Sequence, residues 1–328
     1  MKFRTEIFPE NPSFKIEHGN RIITFGSCFA ENIADYFAES KFEVFPNPFG
    51  VLYNPVSILN SIKIIKSEKE FAKDDLFFDQ SEWHSFFHHS DFSHHDHEEC
   101  LHRINKTTSE TNKKMKEADV IIFTFGTAFV YELKETGQVV SNCHKIPGEK
   151  FNRRLLSLHE IEKSLTEIIE TVREINSNVK LILTVSPVRH WKDGAVNNQL
   201  SKAALLLAVN NAIKNYHACD YFPSYEILID DLRDYRYYEK DLLHPNEIAT
   251  DYIWEKFSLV YFSEDCKNAS KEISKLISSV NHKPRNIHSG KHQAFVKKQI
   301  EYLFRLKEKY PYADFSAEEK TLNSQLFK

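Results

Sequence analysis

Short apolar runs alternate with segments of helical periodicity from residue 21 to residue 262, and this alternation limits the fold more than any other feature. Arg21–Phe25 (RIITF), Phe42–Phe45, Asp119–Phe125 (DVIIFTF), Val179–Val185 and Tyr225–Ile229 read as strands. Between and after them, helices are expected over Phe29–Ser40, Val56–Lys66, roughly Glu98–Lys116, a long stretch from Ser157, Gln199–Tyr216 and Asn246–Phe262. Phe29, Ile33, Tyr36 and Phe37 share one helical face, as do Ile161, Leu165, Ile168, Val172 and Ile175. Ser157 and Glu160 form a capping box, and Asn54 before Pro55 is a helix start. Strands that alternate with helices in this way build a parallel sheet covered on both faces. Active sites of such sheets lie beyond the carboxyl ends of the strands. The positions of interest are therefore Gly26-Ser27, Asn47–Gly50, Gly126-Thr127, Ser186–His190 and the loop before the last core helix.

Two segments depart from the pattern. Residues 70–100 are irregular and aromatic-rich, as expected of an insertion lying over the sheet. FVYELKETGQVV reads as a hairpin turning at Thr136-Gly137. Beyond residue 262 the composition shifts to lysine, serine and glutamate, with amphipathic helices expected over Ala269–Val280 and Lys291–Lys309. The expected organisation is a domain over 1–262 carrying the 70–100 insertion, then a helical extension over 263–328. That tail is expected to pack on the core or to join two copies of the chain.

Bulk properties exclude several classes. The net charge of -4 gives nothing to draw the molecule to nucleic acid or to an anionic membrane. Apolar runs such as Val120–Phe125 are too short to span a bilayer, and the opening residues lack the apolar core of a signal peptide. A cytoplasmic protein is the expectation. The odd set Cys28, Cys100, Cys143, Cys219 and Cys266, without a CxxC pair, reads as free thiols. Glycine occurs only eight times, so each one that follows a strand marks a place where a side chain would clash.

Ser27 stands between the first strand and the first helix. Helix N-termini offer free backbone N–H groups and the positive end of the dipole, which stabilise charge developing on an attacked carbonyl. A serine there is also an ordinary helix cap. Asp241-Leu-Leu-His244 adds a carboxylate and an imidazole three residues apart in a loop that enters a helix. That spacing lets Asp241 hold one imidazole nitrogen while the other faces a nucleophile, as a catalytic triad requires. The order Ser, Asp, His occurs in hydrolases on α/β folds, but the GxSxG elbow of the ordinary α/β-hydrolases is absent.

Residues 26–30, GSCFA, resemble the motif that names the GSCFA family, itself similar to the SGNH (GDSL-like) hydrolases. The likeness continues through NPFGVLYNP, FTFGTAFVYE, NCHKIP, SPVRHWKDG, NQLSKA, YFPSYEI and DLRDYRYYEKDLLHPN, and reaches HQAF in the tail. It implies a flavodoxin-like three-layer α/β/α sandwich with a parallel sheet. It further implies a serine esterase or O-acyltransferase acting on an acyl ester of a carbohydrate or other polar metabolite, through an acyl-enzyme and without a cofactor. Carried over, Ser27 is the nucleophile, His244 the base and Asp241 its orienting acid. The oxyanion hole would draw on the N–H groups of Ser27, Gly50 and Gly126. The asparagine usual after the last of these is replaced, and Thr127 or Asn142 is the expected substitute donor. His144, Arg189 and His190 are candidate substrate contacts.

Other signals carry less. The histidines between His84 and His102, with Asp91 and Asp96, include imidazole and carboxylate ligands suited to zinc, but their spacing is loose and no metal is expected. Cys28 adjoins the nucleophile and is itself a candidate for that role; against this, as the first helical residue it is expected to point into the core. Arg189 either holds an anionic substrate group or pairs with Asp193 or another acid. Trp191 and Trp83 suit either sugar stacking or core packing. The rival function, from a different class, is a glycan- or partner-binding module on the same fold; a metal-dependent esterase using the histidines is a third.

Overall fold

A computed structural model describes residues 4–282, 284 and 286–326, so the outer ends of the two expected segments, Met1 and Lys328, lie outside it. The order of elements begins β1 (Arg21–Gly26), α1 (Cys28–Glu39), β2 (Glu43–Pro46) and α2 (Pro55–Ser67). The insertion contributes a small hairpin, β3 (Phe77–Asp79) and β4 (Glu82–His84), before α3 (His97–Glu117) and β5 (Val120–Phe125). A second antiparallel unit follows, β6 (Phe129–Leu133), β7 (Val139–Val140) and β8 (Phe151–Leu155). Then come α4 (Leu158–Ile175), β9 (Lys180–Val185), α5 (Gly194–Ile213), β10 (Cys219–Phe222), the single turn α6 (Ser224–Glu226) and α7 (Glu247–Tyr261). The chain closes with α8 (Glu264–Val280), α9 (Gly290–Lys309) and α10 (Ser316–Ser324).

The main sheet runs β10-β9-β5-β1-β2, every pair parallel. This is a flavodoxin-like order, whose direction of winding reverses between β1 and β5. Strand alternation divides the core. Ile23, Phe25, Phe123, Phe125, Leu181 and Leu183 face one layer, which α2, α4 and α5 cover. Ile22, Val120, Ile122 and Ile182 face the other, covered by α1 and α7 through Phe29, Phe37, Ile253 and Phe257. The three C-terminal helices close a separate core around Ile273, Leu276, Val296, Leu303 and Phe315. They rest on the sheet domain through a Lys41–Glu318 ion pair of 2.8 Å and through His18, which packs on Tyr310 and Tyr312.

Local rules account for most boundaries. The Ser157–Glu160 box is formed, with Ser157 N–H donating to the Glu160 carboxylate at 2.8 Å. Asn54 caps α2 by accepting from Ser57 N–H at 2.8 Å. One expectation needs correction, and one strand was not expected. The last strand is Cys219–Phe222, while residues 225–231 turn helically, because Pro223 ends the strand and Ser224 reaches back to Val185 O at 2.7 Å. Phe151–Leu155 forms a strand on β6 that its own polar composition did not announce; Arg153 and Arg154 carry it, held by Asp193, Glu132 and Glu160.

Gly26 is the tightest point of the framework. Its φ is +141°, and a Cβ there would lie 2.1 Å from the Thr124 carbonyl oxygen. Its N–H donates to Asn47 Oδ1 at 2.8 Å and its carbonyl accepts from Leu52 N–H at 2.8 Å. Gly26→Ala is therefore expected to destabilise the fold by about 3 kcal/mol through backbone strain and strand separation. Denaturant unfolding checks this; an unchanged midpoint would show that β1 and β5 can part without cost.

Candidate active site

The turn after β1 and the loop before α7 meet the ends of β5 and β9 at one edge of the sheet. Ser27 precedes α1 in extended conformation, φ -71° and ψ 174°, and makes no side-chain cap. The residue is 0% exposed, and its hydroxyl is buried without a hydrogen-bond partner. Cys28, expected in the core, is instead the partly exposed member of the pair. It is the first residue of α1, where the N–H groups of Cys28 and Phe29 have no carbonyl partner within the helix. Burial, and then Glu31, push the thiol upward from its ordinary value; the two amides and Lys202 act in the opposite sense.

Asp241 and His244 form a self-contained unit. His244 Nδ1 lies 2.6 Å from Asp241 Oδ2, while Asp241 Oδ1 accepts from the N–H groups of Leu243 and His244 at 2.9 and 3.0 Å. Those two amides, followed by the imidazole, hold the carboxyl down at about 2. Leu242 takes a left-handed φ of 62°, which folds the loop tightly enough for one oxygen to meet both amides. Both side chains are about half exposed, at 47% and 46%. The loop is tied to the neighbouring one by Arg189 N–H donating to Leu243 O at 3.5 Å.

At the ends of β5 and β9 lies a group that sequence reasoning missed. Lys202 on α5 is 0% exposed and donates to Gly126 O at 2.7 Å and Ser186 O at 2.6 Å. It thus bridges the residues that follow β5 and β9. Burial holds its amine down at about 7, with Arg189 adding to the effect and Cys28 opposing it. A signal for it existed: Leu205, Ala208, Val209 and Ala212 form the inner face of the helix, and Lys202 falls on that face by i,i+3 and i,i+7 spacing. His190 packs edge-on against Tyr53 with ring centroids 5.2 Å apart, and its N–H donates to Asn198 Oδ1 at 2.9 Å. Burial holds the His190 imidazole down at about 4, with Lys202 and Arg153 contributing before His244 does.

The expected oxyanion donors are all engaged within the protein. Ser27 N–H donates to Thr124 O at 3.1 Å and Gly50 N–H to Asn47 O at 2.7 Å. Gly126 N–H and Thr127 N–H share Tyr53 O at 2.8 and 2.9 Å. The Thr127 hydroxyl meets Ser201 Oγ at 3.1 Å, and Asn142 Nδ2 donates to Ser90 Oγ at 3.2 Å. Gly50 also touches the insertion: a Cβ there would fall 2.1 Å from His89 Cβ. That contact seats the histidine-rich segment over the β2 loop.

In that segment His84 and His88 serve structure. His88 is fully buried, stacked on Phe49 at 4.3 Å, and burial holds it down at about 3. His84 Nδ1 meets Ser93 Oγ at 2.7 Å, and His89 pairs with Asp91 at 3.0 Å. His144 Nε2 meets Ser85 O at 2.8 Å, so this candidate contact also braces the insertion. Among the described residues, no group of three or more His, Cys, Asp or Glu is placed to hold a metal ion. Asp193, the other partner considered for Arg189, is taken by Arg153, with Arg153 Nε donating at 2.6 Å. Arg189 lies over the Trp191 ring, 5.2 Å from its centroid.

The pattern of the GSCFA family matches residues 21–257, and that of the GSCFA domain protein C-terminal domain matches residues 273–328. The chain belongs to the GSCFA family. No curated protein matches it in sequence. Among solved structures, this GSCFA chain is similar to a family 3 carbohydrate esterase of Clostridium thermocellum, at 10% identity and a TM-score of 0.35, covering 74% of this chain and 94% of that one. It is also similar to a family 3 carbohydrate esterase from Talaromyces cellulolyticus, at 10% identity and a TM-score of 0.37, covering 78% and 99%. A third similar structure is an acetyl xylan esterase from the rumen bacterium Butyrivibrio proteoclasticus, at 11% identity and a TM-score of 0.36, covering 76% and 66%. No helix among the described residues is long and apolar enough to cross a membrane.

Proposed function

We propose that this GSCFA protein hydrolyses or transfers an acyl group carried on oxygen, with Asp241 and His244 as the acid–base pair and a nucleophile supplied by the Gly26–Cys28 turn. The observation that carries the reading is the 2.6 Å contact between His244 Nδ1 and Asp241 Oδ2 on a half-exposed loop. A carboxylate held near pKa 2 stays charged and fixes the imidazole with Nε2 as its proton acceptor. His244 then takes the proton of the attacking group and returns it to the leaving alcohol. Ser27 is the nucleophile that the family resemblance assigns; with its hydroxyl buried, it would act only after the turn opens.

The substrate side is polar with an aromatic rim. Tyr53 and Trp191 are 38% and 46% exposed beside His190 and Arg189, which suits stacking on a sugar ring. An acyl ester of a carbohydrate or similar metabolite fits this setting, and water or a second hydroxyl would accept the acyl group. Rapid mixing with an aryl acetate tests the reading. A stoichiometric burst of phenol followed by slower turnover is expected. Absence of both burst and turnover would leave the binding-module alternative.

A further inference from the structure

The proposed acyl transfer leaves open which atom attacks, and the two adjacent candidates differ sharply in surroundings. Ser27 offers a hydroxyl without exposure, while Cys28 offers a partly exposed sulfur at the first turn of a twelve-residue helix. That sulfur belongs to the first residue of α1, where the backbone N–H groups of the first turn have no carbonyl partner within the helix. Such positions favour a thiolate, because unpaired amides and the helix dipole stabilise negative charge there.

The helix terminus does not stand alone. Buried polar groups without partners collect around the same edge. Asn47 is 7% exposed, its Oδ1 is held by Gly26 N–H, and its Nδ2 has no acceptor. Asn198 is 2% exposed and is arranged alike, with Oδ1 held by His190 N–H and Nδ2 unpartnered. His190 Nε2, 3.0 Å from where a Cβ on Gly126 would lie, is unpartnered too. Buried donors seldom go unused, so their concentration here points to a polar ligand. Lys202, fully buried, ties the strand ends at this edge by donating to Gly126 O at 2.7 Å and Ser186 O at 2.6 Å.

Resting on the proposed acyl transfer, we infer that Cys28 Sγ carries the acyl group, with Lys202 as a positioning residue that holds the ends of β5 and β9 through the Gly126 and Ser186 carbonyls. His244 accepts the thiol proton as Sγ bonds to the acyl carbon. The ester C–O bond then breaks, and the leaving oxygen takes the proton from the imidazolium. Water next adds to the thioester, giving a proton to His244. The C–S bond breaks, the carboxylic acid departs, and the sulfur recovers its proton. Glu31 and burial oppose the thiolate while Lys202 and the amides favour it, so the sulfur depends on the base.

Acid-quenched mapping of the full-length protein after brief exposure to an aryl acetate tests this. Acetyl is expected on Cys28, released by neutral hydroxylamine as a thioester. It should form at least about 10²-fold faster than on Cys143, a partly exposed thiol outside the cluster, and lose that advantage in His244→Ala. Acetyl on Ser27 would overturn the inference and leave the acyl-transfer reading standing. Acetylation of Cys28 at the same rate with and without His244 would mark an ordinary thiol and also overturn it. No acetyl on either residue, with turnover untouched by His244→Ala, would sink both.

Discussion

Replacing His244 with alanine is expected to lower kcat for an aryl acetate by about 10³–10⁴ while leaving the fold intact. The imidazole is half exposed and its hydrogen bonds stay within its own loop, so little packing is lost with it. Asp241→Asn should approach the same loss of rate. An asparagine can still accept from the amides of Leu243 and His244, but its Nδ2 would donate to Nδ1 and impose the wrong tautomer. KM should change little in either variant, because neither group is assigned to substrate binding. Steady-state kinetics with a thermal melt of each variant makes the check. A ten-fold effect or less would remove His244 from the chemistry.

The second large effect concerns Lys202 and stability. Its amine is held at about 7 in the folded chain against an ordinary 10.5, so the folded state releases a proton that the unfolded state keeps. A lowered folded value stabilises the protein fully above 10.5, and that contribution fades as pH falls through about 7. The interval between those values corresponds to about 5 kcal/mol. Lys202→Met removes the titration and also leaves the Gly126 and Ser186 carbonyls without their donor. The wild type should therefore gain on this variant by several kcal/mol between pH 7 and pH 10. Denaturant titrations of both proteins at pH 7, 8.5 and 10 measure the gap. A gap that stays constant would mean that Lys202 keeps its proton throughout.

What could be read from the sequence was what depends on near neighbours. The strand-like runs and periodic helices require a parallel sheet because each carries its own pattern of burial, and β1, β5 and β9 appear where RIITF, DVIIFTF and the run to Val185 place them. The Asp241–His244 pair was legible for the same reason: three residues of loop fix the separation, and the contact closes within it. The capping box at Ser157 is equally local. The strand at Phe151–Leu155 was not legible, because its arginines are tolerated only where Asp193, Glu132 and Glu160 meet them.

The sequence alone determined the layered architecture and the close approach of Asp241 to His244, since short-range spacing and periodicity encode both. Tertiary structure alone decided which of Ser27 and Cys28 meets solvent, because Thr124 from a neighbouring strand takes the Ser27 amide. It likewise assigned the N–H groups of Gly126 and Thr127 to Tyr53, and drew Lys202 inward to two distant carbonyls. Burial and hydrogen-bond satisfaction are set by whatever the fold brings alongside, and those partners lie tens of residues away in the chain.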